Sequence, residues 1–414
     1  MRRGDRPLGP WCLPATMWMA LLLTACGGSG GSALPEDPGV GTGYATFQAA
    51  VRVLGQADFT SGQADRGGAA GAGTLDLVHS VVVSGSAVFA VDAANNRVLG
   101  WRGVPPAHGA DADLAIGQGD FTTTAGSTGI GNIDFPSGVA AGGGLLWTSE
   151  VNSHRILGFN PVPTTTAPPA AIVLGQVTFQ ANGAQNPPGP NTLAQPNGLS
   201  ATGTTLVVAD TANSRVLFWN PLPAGNGAAA THVLGQVNMA GFLINQGGTP
   251  TGSTMATPFG VWTDGTRLAV ADLGNHRVLI WNTLPTADGQ AADLVLGQTD
   301  LVSNTPGAGP SGLRAPSDVS CDGTRLFVGD CENNRVLVWN TWPTLNGQAA
   351  DVVLGQSDFT RTAPNDDNQD GTPDATCSAR TFFTSGGYLF VHAEPGRLFV
   401  GDRRNSRVLV FEPS

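Results

Sequence analysis

Short apolar runs separated by polar turns follow one another along most of the chain, and one arrangement of them recurs six times. In one copy, an apolar run at 326–329 leads into Asp330, and a second apolar run follows Arg335. Two apolar runs joined by a few polar residues predict a β-hairpin, in which the Asp closes one strand and the Arg opens the next. Because the runs are apolar at nearly every position and do not alternate, we expect sheets that are covered on both faces.

The Asp and the Arg of each predicted hairpin should face each other across the turn, where they can pair through two parallel hydrogen bonds. The Asn between them suits a left-handed turn position, or a side-chain bond to its own backbone. Six copies of one pair indicate architecture rather than catalysis. The copies are Asp92, Asn95 and Arg97; Asp210, Asn213 and Arg215; Asp272, Asn275 and Arg277; Asp330, Asn333 and Arg335; Asp402, Asn405 and Arg407; and a drifted one with Glu150, Ser153 and Arg155.

A Gly-Gln dipeptide preceded by Leu or Ile marks the period of the repeat. Its six Gln residues are spaced 58 to 62 positions apart, at Gln56, Gln118, Gln176, Gln236, Gln298 and Gln356. Each unit holds four candidate strands, and six such units predict an all-β fold, a six-bladed β-propeller of four-stranded blades. The chain begins with an extra strand at 51–56 and ends where a last fourth strand would begin. We therefore expect the N-terminal strand to complete the last blade and remove an open edge.

The repeated unit resembles the NHL repeat. The resemblance rests on Pro-x-Gly-Val, as at 258–261, followed by Asp-x-x-Asn-x-Arg-Val, as at 272–278, and it covers about residues 48–414. The first unit has Val78 in place of the Pro, and the sixth has Tyr388 or Arg380, depending on where an insertion falls. The resemblance implies a six-bladed propeller. It implies little about activity, because the family includes RNA binders, protein-binding scaffolds and a peptide-amidating lyase.

The N-terminus predicts export and lipidation. Residues 1–25 combine an arginine-rich start with an apolar core at 17–23 that is too short to span a bilayer, which is typical of a signal peptide. Leu23-Thr24-Ala25-Cys26 resembles the bacterial lipobox, and the resemblance implies lipidation of Cys26. An ordinary secretory signal is the alternative. We expect a flexible tether at 26–46, the propeller at 47–414, and a lipid-anchored location in the cell envelope, at the outer membrane.

Charge narrows the range of partners. The chain of 414 residues has a net charge of −11, and an acidic surface repels phosphate backbones. We therefore expect no nucleic acid partner, and membrane contact only through the N-terminal lipid. We also expect a monomer.

Residues that could carry catalysis are few. Only His79 and His392 lie near predicted innermost strands, and their offset of three positions puts them ~10 Å apart on opposite faces of their strands. The lyase in the resembling family uses a metal-binding His set, which this sequence lacks. Outside the predicted tether, no Gly-x-Ser-x-Gly motif or phosphate-binding loop is present. We expect a scaffold that binds a protein or a glycan through one propeller face. A propeller enzyme of lyase or lactonase type, with a channel site, remains the alternative.

One segment has the spacing of a calcium loop. Its side-chain oxygens alternate along the chain, with Gly371 at the sharp turn. The twelfth position is Cys377, where an EF-hand needs a Glu, so a polar turn without an ion is the alternative. The predicted structural calcium ligands are Asp366, Asn368, Asp370, Thr372 and Asp374.

Two cysteines and a long connector lie at the same mouth of the predicted ring. Cys331 and Cys377 fall on the same face in neighbouring blades, so an oxidising compartment predicts a disulfide between them. The connector at 357–387 is the longest of its kind. We expect a partner to dock near blades five and six, or else this connector to plug the channel.

Overall fold

The computed structural model describes residues 43–384 and 386–414, so the predicted signal peptide, Cys26 and most of the predicted tether lie outside the described residues. The described residues form six four-stranded antiparallel sheets. Each innermost strand contacts the innermost strand of the next sheet, and the sixth contacts the first. The fold is therefore a closed six-bladed β-propeller, as predicted. No helix within these residues is long and apolar enough to cross a membrane.

Each of the first five blades consists of four consecutive strands, from the innermost to the outermost. The N-terminal strand is β1 (Arg52–Leu54). Blade one has β2 (Val78–Ser84), β3 (Ala87–Asp92), β4 (Arg97–Trp101) and β5 (Leu114–Ile116); blade two has β6 (Pro136–Gly142), β7 (Leu145–Glu150), β8 (Arg155–Phe159) and β9 (Ile172–Leu174); blade three has β10 (Pro196–Ala201), β11 (Leu206–Asp210), β12 (Arg215–Trp219) and β13 (His232–Leu234). Blade four has β14 (Pro258–Thr263), β15 (Leu268–Asp272), β16 (Arg277–Trp281) and β17 (Leu294–Leu296); blade five has β18 (Pro316–Cys321), β19 (Leu326–Asp330), β20 (Arg335–Trp339) and β21 (Val352–Leu354); blade six has β22 (Leu389–Glu394), β23 (Arg397–Asp402) and β24 (Arg407–Phe411).

The N-terminal strand completes blade six, as the sequence predicted. β1 pairs with β24, with Val53 opposite Leu409. The C-terminal residue also contacts the first described residue, because the N–H of Ser414 donates to the carbonyl oxygen of Gly43 at 2.8 Å. Tyr44 then packs edge-on against Phe327 of blade five at a centroid distance of 5.4 Å. Residues 43–50 therefore supply the turn that blade six would otherwise lack.

The blades pack through apolar side chains on both sheet faces, which is why the strands are not alternating in sequence. All five positions of β12 are buried, and Leu217 and Trp219 join a cluster with residues of blade two such as Trp147. Burying a side chain as large as these contributes roughly 1.5–3 kcal/mol, so each interface between blades is a core in its own right.

The innermost strands approach one another closely, which explains the Gly of the Pro-x-Gly-Val motif. A Cβ at Gly198 would lie 2.4 Å from the carbonyl oxygen of Phe259 in the next blade. In blade six, Val391 lies opposite Val400 as Val261 lies opposite Val270 in blade four, so Tyr388, three residues before Val391, takes the position of the Pro. Leu389 lies opposite Asp402 because this blade lacks the register shift found in blade four.

The outermost strands would expose their edges, but each edge is covered by a turn of the next blade. The N–H of Gly227 in blade three donates to the carbonyl oxygen of Val173 in β9 at 2.8 Å, and the N–H of Val173 donates to Asn226 Oδ1 at 3.0 Å. The N-terminal segment does the same for blade five, because the N–H of Phe47 donates to the carbonyl oxygen of Val353 at 2.9 Å. Covering these edges removes sites for edge-to-edge aggregation.

Short 3-10 helices lie in the turns and connectors. Four of them form the turn between the second and third strands of a blade: Thr211–Asn213, Leu273–Asn275, Cys331–Asn333 and Arg403–Asn405. The other two, Ala64–Gly67 and Ile244–Gly247, lie in connectors between blades.

Candidate functional site

The Asp/Arg pairs hold the turn of each blade to the two connectors beside it. In blade three, Arg215 Nε donates to Asp210 Oδ2 at 2.7 Å, and both side chains are fully buried. Its two terminal nitrogens donate to the carbonyl oxygens of Gly189 and Thr192 in the preceding connector and of Met239 in the following one. One guanidinium therefore fixes three segments, which supports an architectural role.

The pairing geometry corrects one expectation from the sequence. In the five Asp copies only Nε reaches the carboxylate, because the other oxygen accepts a backbone N–H, as Asp210 Oδ1 does from Ala194 at 2.7 Å. Two parallel hydrogen bonds occur only in the drifted copy, where Arg155 Nε and a terminal nitrogen donate to the two oxygens of Glu150 at 3.1 and 3.0 Å. The longer Glu side chain reaches both nitrogens of the fork.

The repeated Asn and Gln also have structural roles. The Asn does not take the left-handed position that the sequence suggested; it donates from Nδ2 to the carboxylate, as Asn213 does to Asp210 at 2.8 Å. The left-handed residue is the next one, Ser214, with φ of 48°. Gln236 then donates to the carbonyl oxygens of Ser214 at 3.0 Å and Leu243 at 2.8 Å, tying the turn to the connector.

Burial perturbs the pKa of several carboxyls of these pairs without making them available for chemistry. Burial raises the pKa of Asp92 to about 7, although Arg97 beside it favours the ionised form. Burial likewise raises the pKa of Glu150 to about 7 against the effect of Arg155. Every one of these carboxylates is enclosed by its Arg and backbone donors, so a perturbed pKa here reflects packing.

The central channel contains a cavity of about 160 Å³, lined by the innermost strands of all six blades. Asp318 lies on this lining and is half-buried: Oδ1 accepts the N–H of Val319 at 2.9 Å, and Oδ2 accepts the N–H of Val391 in blade six at 3.0 Å. Burial raises the pKa of its carboxyl to about 7. Asp318 was not predicted from the sequence as a site residue. The available signal was an Asp at the third position of the motif, where three other units have Gly.

Asp318 belongs to a row of side chains that accept backbone hydrogen bonds between blade six and its two neighbours. Ser317 Oγ accepts the N–H of Leu389 at 3.0 Å, and Ser320 Oγ accepts the N–H of Ala393 at 2.9 Å. On the other side of blade six, His392 Nε2 accepts the N–H of Val83 in blade one at 3.1 Å. Burial lowers the pKa of His392 to about 4, so the ring is neutral and can accept this bond at neutral pH.

His79 belongs to a different structure, a chain of hydrogen bonds near the connector end of the channel. Because Arg403 Nε donates to His79 Nε2, the other ring nitrogen carries the proton and donates to Ser137 Oγ. Burial lowers the pKa of His79 well below its usual range. The donors and acceptors, in order, are Arg403 to His79 at 2.9 Å, His79 to Ser137 at 3.2 Å, Ser137 to Asn197 at 2.7 Å, Asn197 to Thr211 at 3.0 Å, and Thr211 to the carbonyl oxygen of Pro258 at 2.8 Å. The structure does not bring His79 and His392 to one site.

Aromatic rings occupy the connector end of the channel. Tyr388, just after the long connector, stacks on Phe259 of blade four at a centroid distance of 4.0 Å. His79 of blade one stacks on Phe390 at 5.0 Å. Phe382 of the connector is not part of this group: it is fully buried and packs over Gly355, beyond the outermost strand of blade five, as Leu193 packs over Gly175 in blade two. The stacking of Tyr388 on Phe259 supports the alternative in which the end of the long connector plugs the channel, and this plug stays a prediction.

The predicted calcium loop is closed by its own hydrogen bonds. Asp366 accepts the N–H groups of Asp370 at 3.1 Å and Gly371 at 2.9 Å, and Asp374 accepts the N–H of Asp367 at 2.7 Å. No group of three or more His, Cys, Asp or Glu side chains in residues 43–384 and 386–414 is arranged to hold a metal ion. Calcium binding stays a prediction. Its ligands would be the residues named above, but these contacts turn two of the carboxylates towards backbone donors.

The two cysteines of the predicted disulfide lie on the same face, in blade five and in the connector that enters blade six. Cys331 Sγ donates to the carbonyl oxygen of Ala315 at 2.8 Å. Cys377 is buried, and a Cβ at Gly62 would lie 3.2 Å from its Sγ. Cys321 ends β18, at the opposite end of its blade. The disulfide stays a prediction.

Exposed apolar side chains concentrate on one face. We call this the connector face: the connectors between blades together with the Asp/Arg turns, which lie at the same ends of the strands. Among the described residues, six of the seven large exposed apolar side chains belong to connectors and so to this face; the seventh, Leu345, is in a rim turn. The six are Ile130, Val177, Val237, Phe242, Leu243 and Val302. None of them lies in the connector at 357–387.

Comparisons with known proteins found only distant similarity. No protein-family model matches the chain, and no curated protein sequence matches it. The WD40 β-propeller domain of Doa1 is similar at 11% identity and a TM-score of 0.41, covering 88% of this chain and 97% of that one. A catalytically inactive virginiamycin B lyase from Staphylococcus aureus with quinupristin is similar at 10% identity and a TM-score of 0.40, covering 80% and 79%. A structural genomics protein of unknown function from Bacteroides thetaiotaomicron has 10% identity and a TM-score of 0.46, covering 88% and 75%.

Proposed function

We propose that this chain is an NHL-type propeller, lipid-anchored at Cys26 in the cell envelope, that acts as a binding scaffold through its connector face. The observation that carries this proposal is the placement of six of seven large exposed apolar side chains on that face. Apolar side chains clustered on one side of a rigid scaffold are typical of an interaction surface. A protein partner is favoured over a glycan, because most of these side chains are aliphatic and gain by covering apolar surface.

The position of the chain ends is compatible with an anchor. Gly43 is hydrogen-bonded to Ser414, which follows β24. β24 begins at Arg407 beside the Asp/Arg turn and ends at Phe411, on the opposite side of the ring. Gly43 therefore lies on the side opposite the connector face. An anchor that precedes Gly43 is thus compatible with a connector face that stays accessible to a partner.

The bonding of the titratable side chains in the channel favours a binding scaffold over an enzyme. Its titratable side chains are engaged in bonds between blades: Asp318 with Val391, His392 with Val83, and His79 with both Arg403 and Ser137. A general acid or base must reach a substrate proton with an atom that is not already committed. This geometry weighs against the alternative of a channel enzyme.

The test is a crosslinking pull-down from envelope fractions with the full chain and two variants. Val177→Asp combined with Val237→Asp places charge on the connector face, at side chains that are 68% and 67% exposed. Leu345→Asp, at a rim side chain that is 66% exposed, is the matched control. We expect the captured partner to be lost with the double variant and retained with the control.

Thermal melts should show that all three proteins are equally folded, since exposed substitutions usually change stability by no more than ~0.5 kcal/mol. A partner that is captured equally by the double variant and the parent would place binding away from the connector face. Capture of no partner by the parent would leave the scaffold proposal without support.

A further inference from the structure

Charge is distributed very unevenly over the connector face. The connectors at 177–195 and 237–257, with the turns at 151–154, 211–214 and 273–276, contain no Asp, Glu, Lys or Arg. We call this the uncharged sector; it belongs to blades two, three and four. The connectors at 57–77 and 357–387, with the turns at 331–334 and 403–406, hold fourteen charged residues. A chain of net charge −11 therefore keeps one continuous part of its binding face free of charge.

The two histidines of the uncharged sector do not add charge at neutral pH. His154 Nδ1 accepts the N–H of Gln195, and His276 Nδ1 accepts the N–H of Ala315, each at 3.0 Å. A ring nitrogen that accepts a hydrogen bond is unprotonated, and burial lowers the pKa of both rings. The sector therefore stays neutral at neutral pH.

The uncharged sector also holds four of the exposed apolar side chains. Val177 and Val237 take the same position in their units, directly after the Leu-Gly-Gln motif, so they are displaced by one blade around the ring. They are 68% and 67% exposed, while Leu243 and Phe242 in the same connector as Val237 are 52% and 39% exposed. Apolar atoms and neutral amides are thus presented together.

We infer that the uncharged sector is the docking site for an uncharged, apolar segment of a partner protein. This inference rests on the proposed function and specifies which part of the face binds and what it binds. A charged side chain on the partner would lose its hydration against this sector and find no opposite charge to replace it. An apolar segment loses nothing comparable and gains by covering the exposed valines. The inferred docking site therefore lies on blades two to four, away from blades five and six, where the sequence predicted that a partner docks.

The probe is a displayed library of random 12-residue peptides, panned on the full chain held in detergent. We expect selected peptides to be poor in Asp, Glu, Lys and Arg, with affinities that change by less than about twofold between roughly 0.05 and 0.5 M NaCl. Val237→Asp should weaken binding by about tenfold or more, because it places an unpaired charge in an apolar contact. Leu345→Asp should leave binding unchanged, and so should Arg404→Ser in the turn of blade six.

Other occupants give distinguishable outcomes. The inference would be overturned if the selected peptides were charged, bound in a salt-sensitive way and bound equally well to Val237→Asp. The proposed function would still stand if Arg404→Ser weakened the binding of those peptides. In another outcome, the library yields no peptide while the chain self-associates in sedimentation or is retained on a neutral polysaccharide. If Val237→Asp abolishes that self-association or retention, the inference of an apolar protein segment is overturned. If neither the library nor the envelope pull-down yields a ligand, the proposed function fails together with the inference.

Discussion

Asp318 gives the sharpest test of how the channel is built. The residue is half-buried on the channel lining between blades five and six, and burial raises the pKa of its carboxyl to about 7 from 3.8. A carboxyl whose pKa is raised by folding stabilises the folded state fully below its unfolded pKa, and that stabilisation is lost as pH rises through the folded pKa. Between pH 3.8 and about 7 only the unfolded chain is ionised at this position.

The magnitude follows from the proton balance. Each pH unit in that window costs about 1.4 kcal/mol of unfolding free energy, so raising the pH from about 5.5 to 8.5 should cost about 2 kcal/mol through Asp318 alone. Asp318→Asn keeps the shape and removes the titration. It should lower stability at pH 5.5, because an amide cannot accept both N–H groups, but it should abolish this share of the pH dependence.

The assay is urea unfolding followed by tryptophan fluorescence at the two pH values, for the parent and Asp318→Asn. Comparing the two proteins cancels the contributions of other groups, including Asp92 and Glu150, whose raised pKa values have the same sign. Asp300→Asn is the control: its carboxyl is fully exposed, and hydrogen bonds from Ser303 lower its pKa, so it is ionised throughout this range. Identical pH dependence in the parent and Asp318→Asn would refute the assignment of a raised pKa to Asp318.

Four further predictions follow from other parts of the structure. Deleting residues 48–57 should lower the melting temperature sharply in calorimetry, because it removes β1 with the fully buried Val53 and Leu54. Arg215→Met should cost about 3–5 kcal/mol in urea unfolding, because it leaves the Asp210 carboxylate buried without its cation. Calcium should bind the 366–374 loop with a Kd of about 10⁻⁴–10⁻³ M in calorimetry, and Asp370→Ala should abolish the heat. Non-reducing peptide mapping of protein from the envelope should recover Cys331 joined to Cys377.

Each of these has its own control and contrary result. An equal melting temperature after removal of 48–57, compared with a deletion of 29–36 in the predicted tether, would contradict the closing role of β1. Arg361→Met is the matched control for Arg215→Met, because its pair with Asp358 is exposed and worth less than about 1 kcal/mol. Absence of calcium heat in the parent would reject the ion site, and alkylation of both thiols without reduction would reject the disulfide.

The architecture was readable from the sequence because its determinants are local and repeated. Four apolar runs per unit, the Asp/Arg turn and the Gly-Gln period gave the strand number and blade number, and the extra strand at 51–56 gave the closure that β1 and β24 make. These signals depend on spacing within about 60 residues, and each was present in up to six copies. The drift of one copy to Glu150 therefore did not obscure the repeat.

The site was much less readable, because its residues act across blades. The sequence indicated that Asp210 and Arg215 pair, but the remaining nitrogens of the guanidinium bind connectors that lie 23 to 26 residues away. Asp318 accepts a bond from Val391, 73 positions further along. Such contacts depend on how two blades pack together, and no single repeat contains that information.

The sequence by itself thus determined the repeat, the covered sheets and the closing strand, since each follows from the order of apolar and polar residues along the chain. Only the tertiary structure decided which polar groups are available to a partner. It turned Asp318, His79 and His392 inwards to bonds between blades and brought Val177 and Val237 to one side of the ring. The physical reason is that a strand pattern specifies the faces of a sheet, whereas exposure is specified by what the neighbouring blade covers.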